Sequence, residues 1–142
     1  MVKLYALALL LCEGFDVEKE YQNVLDELFL NNPDNQDLLE LEEMSGNIKS
    51  SVSHVLLSKT DEWEINYDLF GKYLMKMAKF CYEKTELKLF AKRMYFLWQK
   101  LPSCIQEEEP FFTLCFAGDP LSYGDTKQTR ELYENMFDYY NE

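Results

Sequence analysis

Residues 69 to 101 read LFGKYLMKMAKFCYEKTELKLFAKRMYFLWQKL, and the spacing within this stretch decides the fold class. Leu69, Phe70, Tyr73, Leu74, Met77 and Cys81 recur at helical intervals and share one stripe, while Lys72, Lys76 and Lys79 fall near the opposite side. Thr85 is the expected cap of a second helix. There Leu87, Phe90, Ala91, Met94, Leu97, Trp98 and Leu101 keep the interval until Pro102 ends it. Lys84, Lys88, Lys92 and Arg93 fill much of its polar side.

Toward the N-terminus the same period continues. Ile48, Val52, Val55 and Leu56 form one short amphipathic segment, and Leu38, Leu39, Leu41 and Met44 form another that Ser45 and Gly46 interrupt. Val17, Tyr21, Val24, Leu25, Leu28 and Phe29 lie on one helical face, with Asp16 as the expected N-cap and Asn31 to Pro33 as the stop. Lys59 to Asn66 reads as a break. Lys3 followed by Leu4 to Cys12 invites comparison with an export signal. Leu10 and Leu11 occupy the place of small cleavage-site residues, however, and the apolar run is too short for a bilayer, so a buried first helix in a cytoplasmic protein is expected.

Toward the C-terminus the pattern loosens, with three of the four prolines and two of the five glycines between Pro102 and Gly124. Phe111 to Phe116 fits either a buried strand or one and a half turns of helix; helix is expected because no second strand is evident to pair with it. Asp125 and Gln128 have capping-box spacing before a last helix carrying Leu132, Tyr133, Met136, Phe137 and Tyr140. The expected architecture is all-α: one domain over residues 1–142, an irregular bundle of seven or eight helices, with stacked helical hairpins as the alternative. No repeat signature is legible.

A chain of 142 residues suffices for one domain, burying roughly 70% of its unfolded surface. Its 47% hydrophobic and 15% aromatic content excludes the disordered regime. The net charge of −12 therefore decorates a folded body, and it is unevenly placed. Residues 13–64 carry 14 acids against 3 bases, residues 65–100 carry 3 against 8, and residues 101–142 carry 9 against 2. Such a field attracts a basic partner and repels nucleic acid; the lysine-rich middle segment is outweighed by its acidic flanks at long range. Cys12, Cys81, Cys104 and Cys115 lack the close pairs of zinc or redox motifs and read as reduced core residues.

No motif specifies a reaction. His54 is the single histidine, and its neighbours Ser50, Ser51 and Ser53 are not oriented toward it by sequence proximity on a helix, so it reads as a surface or boundary residue. Carboxylates cluster as Glu40 with Glu43, Asp61 with Glu62 and Glu64, and Glu107 to Glu109, without the spacing of a calcium-binding loop. They read as solvated faces, with surface density of the sign that a basic protein needs. Trp63 lies among Asp61, Glu62 and Glu64, and Phe111 with Phe112 follows the triple glutamate. Aromatics rimmed by carboxylates suit an interface anchor, although each one taken singly is better explained as covering the edge of a core. Tyr123, Tyr133, Tyr139 and Tyr140 carry the acidic, aromatic character to the end of the chain.

The C-terminal third, from Glu107-Glu108-Glu109-Pro110-Phe111-Phe112 through Gly118-Asp119-Pro120-Leu121-Ser122-Tyr123-Gly124-Asp125 to Tyr139-Tyr140, resembles the small acidic, all-helical immunity proteins of bacterial polymorphic toxin systems, including those of contact-dependent growth inhibition. The resemblance implies tight binding of a cognate basic toxin, often a nuclease, by covering its active site or docking surface. It carries over no catalytic residue, and the lysine-rich centre departs from a uniformly acidic inhibitor.

Two contact faces are therefore expected. One comprises Glu40, Glu42, Glu43, Asp61, Glu62 and Glu64 with Trp63 as anchor; the other comprises Glu107, Glu108, Glu109, Phe111 and Phe112 with Asp119 and Asp125. No catalytic residues, metal, cofactor, membrane contact or direct nucleic-acid contact are expected, and a monomer is favoured. The competing expectation is a helical adaptor binding a peptide or protein partner; a third is an enzyme using scattered carboxylates.

Overall fold

A computed structural model describes residues 2–44, 46–58 and 65–141. Among these residues every regular element is helical, as expected. The order is α1 (Val2–Cys12), α2 (Glu18–Asn31), α3 (Gln36–Glu43), α4 (Ile48–Ser58), α5 (Tyr67–Lys84), α6 (Leu87–Gln99), α7 (Ser103–Gln106), α8 (Phe111–Phe116), a 3-10 helix (Asp119–Tyr123) and α9 (Thr126–Phe137). Phe111–Phe116 is thus helix and not strand. The α-helices exceed the expected seven or eight by α7, a single turn too short to show a period.

The described residues fall into two compact units, Met1–Asn66 and Tyr67–Glu142. In the first, α1 is buried all round from Leu4 to Leu10 and packs on α2 and α4. It ends where Gly14 takes φ 91, a conformation that glycine adopts without strain. Gly14 N–H donates to Leu11 O and Phe15 N–H to Leu10 O, the paired bonds of a Schellman stop that folds the apolar Phe15 back onto the helix. The helix α2 begins at Glu18 with Val17, not Asp16, at its cap position and no side-chain cap; Val17 is fully buried there. Tyr21 of α2 and Ser51 of α4 share a buried hydroxyl–hydroxyl bond of 2.6 Å across the unit.

In the second unit α5 packs on α6 and α9, and α8 packs on α6, α7 and α9. Phe70, Leu74, Met77, Ala78 and Cys81 bury one face of α5, whereas Leu69 is 55% exposed, so the core stripe is narrower than its apolar spacing suggests. Phe90 and Tyr133 meet edge to face at 4.9 Å, and Tyr82 packs edge to face against Phe90 and Phe137 at 5.2 Å each. After Pro102, Trp98 Nε1–H donates to Gln106 O at 2.9 Å and Gln106 Nε2 returns a bond to Trp98 O at 3.1 Å, clasping α7 to the end of α6. Glu86, not Thr85, caps α6: its carboxylate accepts from Lys88 N–H and Leu89 N–H. All four cysteines are free, yet only Cys81 is buried; Cys12 and Cys104 are exposed at helix ends. No described helix is long and apolar enough to cross a membrane.

Candidate functional site

In the first unit α3 carries four carboxylates, Asp37, Glu40, Glu42 and Glu43, as many as α2. Asn35 starts this helix by accepting a hydrogen bond from Leu38 N–H, and burial of Leu38 and Leu41 fixes which face turns inward. Asp37 and Glu40, one turn apart, remain on the half-buried flank, and Glu43 is exposed. The neighbouring helix α4 is started by Asn47, which accepts from Ser50 N–H at 3.2 Å. Burial of Ser51, Val52 and Val55 leaves His54 on the flank that meets α3. His54 Nε2 lies 3.7 Å from Glu40 Oε2, and donor atoms of Asp37, Glu40 and His54 all fall within 4.8 Å of one another.

Glu42 does not join that group. Its Oε1 is shielded from solvent without a hydrogen-bond partner, and Asp26 on α2 stands close enough to share a proton with the carboxyl. Partial burial first, then the hydrogen bond and the charge of Asp26, push its pKa up to about 7. Near neutral pH Glu42 therefore supplies only part of the charge that the sequence assigns to it. Asp61, Glu62, Trp63 and Glu64, the other half of the expected face, lie outside the described residues.

In the second unit Glu107, Glu108 and Glu109 are all exposed between α7 and α8. The two phenylalanines after them part company. Phe111 is 2% exposed and stacks on Phe70 at 5.9 Å, so it is a core residue and not an interface anchor. Phe112 is 39% exposed and packs on half-buried Phe116 at 5.3 Å, one turn along α8. Tyr140 extends the acidic surroundings. Its hydroxyl is pushed up to about 12, first by burial and then by the charges of Asp68, Tyr139 and Glu108. Asp68 was hidden from sequence reading because it sits at the head of the basic block; its place in the first turn of α5 was the available signal.

Asp119 is exposed in the 3-10 helix; with burial as the larger cause, it raises the pKa of the Cys115 thiol. Asp125 is occupied as the N-cap of α9, where it accepts from Gln128 N–H at 3.0 Å. The reciprocal half of the capping box is missing. Asp125 N–H donates to Pro120 O, and the Gln128 side chain takes the Tyr123 hydroxyl at 3.4 Å. A groove of about 480 Å³ runs between α6, α8 and the 3-10 helix, walled by Lys88, Lys92 and Tyr95 on one side and Leu114, Cys115 and Asp119 on the other.

No protein-family model, curated protein or solved structure matches this chain. The geometry therefore has to carry the functional reading.

Proposed function

We propose that this chain is a binding protein for a basic protein partner, acting as an immunity protein that neutralises a bacterial toxin in the cytoplasm. The observation that supports this reading best is the surface at the start of α8. Three consecutive exposed carboxylates, Glu107 to Glu109, adjoin a 39%-exposed Phe112 backed by Phe116. Carboxylates of one sign speed encounter with a cation-rich surface, and an exposed ring beside them supplies apolar area that slows dissociation. The residues on α3 add a second acidic surface, to which Glu42 contributes less than Glu40 and Glu43.

The reading is tested by capture from the native host with the tagged chain, followed by co-expression of the captured protein. A single basic partner whose toxicity the chain relieves supports it; recovery of acidic or unrelated proteins, with no relief of toxicity, contradicts it. A second reading, a helical adaptor, draws on the groove beside α6. Its lysines favour an acidic peptide, so the charge of the captured partner separates the two readings.

A further inference from the structure

We propose that Asp37, Glu40 and His54 form a binding site for a divalent first-row transition-metal cation, with Zn²⁺ as the best fit. The donor set is mixed. Asp37 and Glu40 stand one turn apart on α3, and the only imidazole in the chain reaches them from α4. One atom from each lies within 4.8 Å of the other two.

The state of the imidazole points to a ligand. The ring is 28% exposed, yet Nε2 itself is shielded from solvent and has no hydrogen-bond partner. Its separation of 3.7 Å from Glu40 Oε2 is too long for a hydrogen bond. Two donors each about 2.0 Å from a tetrahedral ion lie roughly 3.3 Å apart, so small side-chain rotations bring this pair onto a common ion. Nitrogen among oxygen donors favours zinc, copper, iron or nickel over calcium and magnesium, which take oxygen sets. The local charge has the right sign, since residues 13–64 hold 14 acids against 3 bases. Three protein donors leave at least one position for water. A bound ion would tie α3 to α4.

The test is calorimetric titration of the full chain with ZnCl₂ in chelator-free buffer. One equivalent should bind with micromolar affinity. Asp37→Asn with Glu40→Gln, and separately His54→Ala, should each weaken binding by about tenfold or more while circular dichroism retains the helical signal. Replacing the exposed Cys12 and Cys104 by serine should leave binding unchanged. Because His54 is the single histidine, its imidazole NMR signals in the unmodified chain report the site without substitution and should shift with one equivalent of Zn²⁺. Unmoved imidazole signals, affinity unaffected by the α3 and α4 substitutions, or binding lost in the serine variant would overturn the proposal. In the first of these cases Glu40 and His54 are neighbours and nothing more.

Discussion

Beside Asp26, the Glu42 carboxyl titrates near 7, against about 4.5 for an unperturbed glutamate. Between those values the folded chain holds more protons than the unfolded one, so this group's contribution to stability is greatest below about 4.5 and declines as pH rises through about 7. Glu42→Gln should remove that decline and raise the melting temperature at pH 8 relative to the unsubstituted chain; equal melting curves at pH 8 would contradict it. The Tyr21–Ser51 bond makes a second prediction at this scale. Ser51→Ala strands a buried tyrosine hydroxyl and should cost about 1–3 kcal/mol in denaturant unfolding, and adding Tyr21→Phe should recover part of that loss. Tyr21 was legible as a core residue from its helical spacing. Its partner 30 residues away was not, because a serine on a helix carries no sequence sign of which way its hydroxyl turns.

Helix existence was legible almost everywhere, since periodic apolar faces such as Val17 to Phe29 and Leu87 to Leu101 were long enough to register. Helix starts were less so. Thr85 has the residue type of a cap, but the Glu86 carboxylate reaches two backbone N–H groups, and Asp16 loses its role because buried Val17 takes the cap position. The contrast is measurable: Glu86→Ala should cost about 1 kcal/mol, and Thr85→Ala should cost appreciably less. Gly124 closes the 3-10 helix at φ 81, where Gly124 N–H donates to Leu121 O and Asp125 N–H to Pro120 O. Gly124→Ala should therefore cost about 1 kcal/mol through backbone strain alone, because the added methyl group meets no neighbour. The one-turn helix α7 escaped the sequence because four residues are too few to repeat a period.

At the scale of the whole molecule, block charge was readable from the sequence, and what each charge can do was not. Of the residues expected to meet a partner, Phe111 is core, Asp125 is a helix cap and Glu42 is held partly neutral; Glu107, Glu108, Glu109 and Phe112 remain free to meet solvent. The adjacent phenylalanines show why. Neighbours on a helix point about 100° apart, so one ring stacks on Phe70 while the next faces out, and composition does not distinguish them. Encounter between an acidic surface and a basic partner depends on charge and is screened by salt, whereas retention depends on the ring. Phe112→Ala should thus raise the dissociation rate and leave association nearly unchanged. The most direct measurement is the association rate of the captured partner with the chain and with a Glu107→Lys, Glu108→Lys, Glu109→Lys variant, by stopped flow at low and high salt. A slowing of about tenfold or more at low salt that shrinks at high salt is the predicted result; equal rates for the two proteins at low salt would contradict the account.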